Sequence, residues 1–161
     1  MQGNTELAKG NHAKAAAFFD QALAVDPKVS AVWNDRGLCA EVLESPLKAI
    51  EYFDRALAVE PTNAHPWYNK GVSLQRLKKH AAAVDCFEQV VKLHPDDAPP
   101  DANLMHAYHN LGSSLAQLGR TEDAIDSYDE VLKRAREEPD KWREEAKRAL
   151  NLKQLLLQPG Q

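Results

Sequence analysis

Apolar residues fall three and four apart along the early chain, at Ala15, Phe18, Phe19, Ala22 and Leu23, with polar residues between them. That spacing puts one apolar stripe on a helix running from about residue 12 to 25. The pattern returns at Ala49, Ile50, Phe53, Ala56 and Leu57, and again at Ala83, Val84, Phe87, Val90 and Val91. Each run stops at an acidic residue or histidine followed by proline: Asp26-Pro27, Glu60-Pro61 and His94-Pro95. Proline disfavours helical geometry in the residue before it and supplies no donor of its own. A second set of helices fits between these runs. A stub from about Gln2 to Lys9 ends near Gly10, with Asn11 as a cap for the next helix. Ser30 is placed to cap a helix through about Leu43, and Asn63 one from Ala64 to about Leu77. Glu44-Ser45-Pro46 and Lys78-Lys79-His80 read as turns, the first with Pro46 opening the following helix.

The helices repeat. Trp33, Gly37, Ala49, Phe53, Ala56 and Pro61 recur at one constant offset as Trp67, Gly71, Ala83, Phe87, Val90 and Pro95. Counting back by the same offset, Gly3, Ala15, Phe19, Ala22 and Pro27 hold the same places. A fixed period of this length signals a stack of supersecondary units. The register puts Met1 at the sixth place of a unit, so the chain is expected to start inside a helix, as a piece of a larger parent or a processed precursor would. After Pro95 the register slips. Asp96-Asp97-Ala98-Pro99-Pro100-Asp101 carries loop signals, and the marks resume at Tyr108 and Gly112. Residues 98–104 are therefore inserted. Asp101, after two prolines, reads as an N-cap that lengthens the next helix by about a turn, with a longer loop as the alternative. That unit continues through Leu111, Leu115, Gly119, Ala124, Tyr128 and Val131, and its second helix is expected to reach about Glu137.

Pro139-Asp140 is expected to open one more helix, through about Leu157. Trp142 and Ala146 lie one full repeat after Tyr108 and Gly112, which makes it a first-helix copy. Trp142, Ala146, Ala149, Leu150, Leu156 and Leu157 share one side of a helical wheel. Arg143, Glu144, Lys147, Arg148 and Asn151 lie elsewhere, as a capping helix with a polar outer face requires. Leu155 falls off the packed side and Leu152 at its edge. Residues 158–161 read as a frayed tail.

Bulk composition narrows the function. The formal net charge is −4 and no basic run is present, which argues against nucleic acid or an anionic membrane as the partner. No apolar stretch approaches the roughly 20 residues of a membrane span, and no signal peptide precedes the first helix. A cytoplasmic location is expected. Cys39 and Cys86 have no partner at metal or redox spacing and read as small buried thiols. No phosphate loop, zinc-binding His-Glu-x-x-His or activated nucleophile is present.

Trp-x-x-x-Gly followed by Ala, Phe, Ala and Pro at fixed offsets, in a unit of about 34 residues, resembles the tetratricopeptide repeat. The resemblance spans nearly the whole chain: a truncated repeat at 1–29, repeats at 30–63, 64–97 and 105–138, and a cap at 139–157. It implies an all-α, right-handed superhelix of helix-turn-helix units, forming a single domain over 1–157. In such a stack Gly37, Gly71 and Gly112 let helices cross closely, facing Ala49, Ala83 and Ala124. The aromatic marks are core. The seventh place, often apolar in the family, holds Arg36 and Lys70, which are expected to lay their stems on apolar surface with the charge in water.

The family binds partners mainly in a concave groove lined by first helices. By register this implies Ala31, Asn34, Asp35, Leu38, Glu41 and Val42 in the second unit, and His65, Tyr68, Asn69, Val72, Gln75 and Arg76 in the third. In the fourth it implies His106, His109, Asn110, Ser113, Ala116 and Gln117. Asn34, Asn69 and Asn110 offer donors and acceptors suited to a peptide backbone, and Tyr68 an amphipathic contact. A subset of the family clamps the carboxylate tails of heat-shock chaperones with basic groove residues. Here Asn4 and Asn69 stand at suitable positions, but His65 and Asn69 replace the cations that a carboxylate needs. His65, His106 and His109 lack a cysteine or carboxylate at ligand spacing, so no metal or cofactor is expected. The reading is a non-enzymatic scaffold that binds a protein or peptide. The alternatives are a module that self-associates weakly, through its truncated first helix or the Leu152/Leu155 strip, and a regulatory fragment of a larger protein.

Overall fold

The structure is a computed structural model that describes residues 2–94 and 99–158. Among them the chain forms helices and turns with no strand. The chain divides into two compact units, Met1–Lys78 and Lys79–Gln161. The first holds α1 (Gln2–Ala8), α2 (His12–Val25), α3 (Ser30–Leu43), α4 (Pro46–Val59) and α5 (Ala64–Arg76). The second holds α6 (His80–Leu93), α7 (Ala102–Gln117), α8 (Thr121–Ala135) and α9 (Arg143–Leu157).

Within each unit sequential helices pack on one another, and one contact recurs. A Cβ built on Gly3 would stand 2.5 Å from the Phe19 ring; one on Gly37, 2.5 Å from Phe53; one on Gly112, 2.8 Å from Tyr128. The glycines make room for an aromatic ring from the second helix, more than for the alanine opposite. At Gly112 the facing backbone, the Ala124 carbonyl, comes within 3.1 Å as well. Phe19, Phe53 and Tyr128 are accordingly almost fully buried. Truncating one of the phenylalanines to alanine would cost roughly 3–5 kcal/mol. Ala15, Ala49 and Ala124 are fully buried, while Phe18 and Ile50 are only half-buried. Cys39 and Cys86 are buried and unpaired by disulfide, and burial pushes the Cys39 thiol up to about 11.

The turns explain several boundaries. Gly10, Lys78 and Gly119 occupy the same place in their repeats, and all three adopt positive φ, at 78°, 57° and 74°. At the corresponding Glu44 the chain solves the turn differently. Pro46 forces Ser45 into extended geometry, and the Ser45 hydroxyl accepts the Lys48 backbone N–H at 3.2 Å. Asn63 caps α5 through the His65 N–H, and Asp101 caps α7 through the Leu104 N–H at 2.8 Å. The insertion thus extends a helix by three residues ahead of the register; residues 95–98, including Pro95, lie outside the described part. Two expected caps are corrected. Val29 holds the N-cap position of α3, so Ser30 is its first helical residue and accepts from Asn63 Nδ2 instead. Asn11 stands at the N-cap of α2, but its amide donates to Glu6 at 2.8 Å.

The carboxyl-terminal helix departs most from expectation. α8 ends at Ala135, not Glu137, and turns carry the chain to Arg143, so α9 begins four residues after Pro139. Trp142 becomes its N-cap residue. Leu150 and Leu157, expected on the packed side, are 44% and 58% exposed, while Trp142 and Ala149 are buried. Leu155 is exposed as expected.

Arg36 and Lys70 are also corrected. Arg36 is buried: its guanidinium donates to Asp20 at 2.8 Å and Glu44 at 2.9 Å and lies 4.6 Å from the Tyr52 ring. Lys70 bonds Asp54 at 2.6 Å. Asp20 and Asp54 hold equivalent places in successive repeats, so the pair is itself a repeated device joining a second helix to the next first helix. Asp129 holds the same place in α8. There α9 has Glu145 at the register of Lys70, and Lys153, two turns later, supplies the cation at 2.6 Å. The displaced ion pair shows α9 seated in a different register from the other first helices.

A second repeated bond fails at the same place. Trp33 and Trp67 donate their indole N–H to the carbonyls of Pro27 and Pro61, at 2.8 and 2.9 Å. Trp142 is buried and its Nε1 has no partner. Urea unfolding should show Trp33→Phe costing about 1 kcal/mol more than Trp142→Phe, the net worth of one such bond; equal costs would show that the indole bond contributes nothing. Lys78→Gly should raise stability by about 1 kcal/mol, because glycine adopts positive φ without the side-chain penalty; a loss of stability would show that the lysine side chain matters more than its backbone.

Candidate functional site on the first-helix faces

In the amino-terminal unit the expected groove residues lie along the seam between α3 and α5, and hydrogen bonds join them. Asn69 Nδ2 donates to Asn34 Oδ1 at 2.8 Å, and Asn34 Nδ2 to Asp35 Oδ1 at 3.3 Å. One turn further, Glu41 accepts the Ser73 hydroxyl at 2.7 Å and pairs with Arg76. At the near end Asn63 reaches Ser30. The result is a polar ladder between successive repeats. Asn34 is buried at 8% exposure, so its amide is spent on Asn69 and Asp35 and does not stand open for a peptide backbone. Burial raises the Asp35 carboxyl above its ordinary range, opposed by the Asn34 bond and by His65. Leu38 packs against Ala40, Ala49 and Phe53. The surface left at this seam comes from exposed His65, Arg76 and Val42 with half-buried Tyr68 and Val72.

In the carboxyl-terminal unit α7 presents half-buried His106, His109, Asn110 and Ser113, with Gln117 exposed. Opposite them stands α9. His106 Nε2 lies 3.8 Å from Glu145. His109 meets the Tyr128 ring at a 5.9 Å centroid distance. Burial first, then Arg148 and His106, hold the His109 imidazole below its ordinary value, against a smaller pull from Glu145. Among the described residues no group of three or more His, Cys, Asp or Glu gathers as a metal site. None of their helices is long and apolar enough to cross a membrane.

The sequence pattern places these side chains on the first helices but does not show their mutual bonding. Glu41 reads there as groove surface and Ser73 carries no mark, yet together they form the centre of one rung. The available signal is the pairing of polar residues at separations close to the repeat length, as in Glu41 with Ser73 and Asn34 with Asn69.

Helix pairs, glycine–aromatic crossings and first-helix faces define a repeat protein of helix-turn-helix units. Two family models, both described as tetratricopeptide repeat, match residues 1–66 and 62–137, and the chain belongs to that family. No curated protein sequence matches it. Solved structures share the fold. A crystal structure of MamA superposes with a TM-score of 0.69 at 19% identity, covering 92% of each chain. A MamA RS-1 double mutant gives 0.69 at 18%, covering 94% of this chain and 90% of that one. The first TPR of Spaghetti (RPAP3), bound to the HSP90 peptide SRMEEVD, gives 0.65 at 19%, covering 73% of this chain and 88% of that one.

The His109 environment carries a pH dependence with a definite sign. Its folded pKa lies below its unfolded value. The neutral imidazole's contribution is therefore complete above about pH 6.5, the unfolded value, and is lost as pH falls through the lower folded value. Thermal unfolding between pH 7.5 and 5 should show a fall in Tm that is smaller in His109→Gln; an identical fall in both proteins would remove His109 as its source.

Proposed function

We propose that the chain is a non-enzymatic interaction scaffold that receives an extended peptide or partner helix in the concave groove lined by its first helices. The observation that carries this reading is the α3/α5 seam. Its polar residues are held in place by one another before any ligand arrives. Side chains ordered before binding lose less entropy on binding. The residues assigned to the groove are Asn34, Asp35, Leu38, His65, Tyr68, Asn69, Val72 and Arg76. From α7 they are His106, His109, Asn110, Ser113 and Gln117. Within this set Asn34 acts by positioning Asn69, while Tyr68 and His65 touch the ligand.

The ligand need not carry an acidic tail. The first TPR of Spaghetti is bound to a peptide ending in Glu-Glu-Val-Asp. In this chain the seam's arginine, Arg76, is already paired with Glu41, and His65 and Asn69 stand where a carboxylate clamp needs cations. The preferred ligand is uncharged or mixed in charge. A second reading, weak self-association, is favoured by one observation, the 64% exposure of Leu155 on α9. Light scattering across concentration separates the two, because a strict monomer excludes it.

Capture from a lysate with the intact chain, compared with His65→Ala/Tyr68→Ala, tests the groove. His65 is exposed and Tyr68 half-buried, and an unchanged thermal transition would show that the double variant folds. It should lose roughly tenfold or more in affinity for the captured protein, as expected when an aromatic contact at an interface centre is removed. Unchanged capture by the folded variant would refute the groove assignment.

A further inference from the structure

The carboxyl-terminal unit carries a second surface, distinct from the groove. α9 packs against α8 and α7, leaving Leu150 and Leu157 exposed. There a pocket of about 610 Å³ lies between α8 and α9, lined by Leu132 and Ala135 from α8, Ala146 and Leu150 from α9, and Pro139 of the connection, with Arg136, Asp140 and Arg143 at its edge. Leu157 continues the stripe, two turns beyond Leu150, and both are exposed. Leu155 points away by more than a quarter turn of the helix, so this stripe is not the strip invoked for self-association.

We propose that this groove docks an amphipathic helix with an aliphatic face and acidic flanks. Three features identify the occupant. The walls are helix surfaces whose apolar residues are three and four apart, Leu132 with Ala135 and Ala146 with Leu150. That spacing matches side chains on an incoming helix, and the groove offers no strand edge for an extended peptide to pair with. The edge is net positive. Arg143 donates to Asp140 at 2.6 Å across a solvent-exposed pair, which holds it weakly, and Arg136 is exposed with no ion pair among the described residues. Both guanidiniums can fork onto carboxylates flanking the aliphatic face. Finally, Ala146 holds the register of Gly3, Gly37 and Gly112. At those glycines a Cβ would strike the partner helix's aromatic ring at 2.5 to 2.8 Å. Ala146 already has that Cβ, so the side chain received here is leucine, isoleucine or methionine in place of an aromatic ring.

The test is an NMR titration of the intact chain with three synthetic helical peptides. One carries leucines at i, i+4 and i+7 with glutamates flanking them; the second has lysines in place of the glutamates; the third has phenylalanine as the central residue. The Glu-flanked leucine peptide should shift resonances of residues 132–157, with affinity falling at higher salt. The Lys-flanked and phenylalanine peptides should bind about tenfold or more weakly, as should the first peptide to Leu150→Ser or Arg143→Glu. Both substitutions alter exposed side chains, and an unchanged thermal transition would show the variants folded. The His65→Ala/Tyr68→Ala protein should bind the first peptide like the parent, so this site and the groove can fail separately. Equal binding of all three peptides, shifts mapping to α3 and α5, or no effect of Leu150→Ser would overturn the proposal. So would concentration-dependent dimerisation abolished by Leu150→Ser, which would give the surface to a second copy of the chain.

Discussion

Everything in this fold depends on an aromatic ring lying on a glycine of the neighbouring helix. Gly3 and Phe19, Gly37 and Phe53, and Gly112 and Tyr128 are separated by one and the same interval along the chain. Glycine costs a helix about 1 kcal/mol relative to alanine. That cost is accepted at each of these places because a Cβ there would enter the ring. The contact sets how closely two helices cross and so fixes the direction in which the next helix leaves. Repetition of one contact at a constant spacing is what turns a string of helices into a stack.

Polar interactions then join one repeat to the next. Second helices reach forward through Asp20 to Arg36 and Asp54 to Lys70, and first helices bond each other through Asn34–Asn69 and Glu41–Ser73. Arg36 shows why such groups are kept. Buried at 8% exposure, it is tolerable only because two carboxylates and a tyrosine ring receive its charge. The ladder also divides this face into residues bonded across the seam, such as Asn34 and Glu41, and residues at its outer side, such as Val42 and Val72.

The helices are legible in the sequence because each signal is local. Apolar spacing marks the packed stripes, Asp26-Pro27 and Glu60-Pro61 mark the stops, and Asn63 and Asp101 can be read as caps. Ser30 misleads because it sits one residue inside α3, with its hydroxyl turned to Asn63 of the next repeat. Arg36 misleads for a similar reason. A long basic side chain on a helix is ordinarily solvated, and Asp20 and Glu44 become its partners only after α2, α3 and α4 have packed. The candidate site is legible as a list of positions and illegible as a network, because hydrogen bonds between residues a repeat apart need both helices in place.

The carboxyl-terminal helix shows the same boundary most clearly. Residue pattern alone determined that the chain is a tetratricopeptide stack and where most of its helices run, because one period repeated several times leaves a single consistent register; that the glycines meet aromatic rings more closely than the facing alanines emerged only from the packing. Tertiary structure decided how α9 sits on α8. The turn from Arg136 to Trp142 delays the helix by four residues, leaves the Trp142 indole without its carbonyl, moves the ion pair from the expected seventh place to Lys153, and turns Leu150 and Leu157 outward. A helical wheel fixes which residues share a side but carries no information on which side meets the neighbour. That choice belongs to the geometry of the turn and the fit of the two packed surfaces.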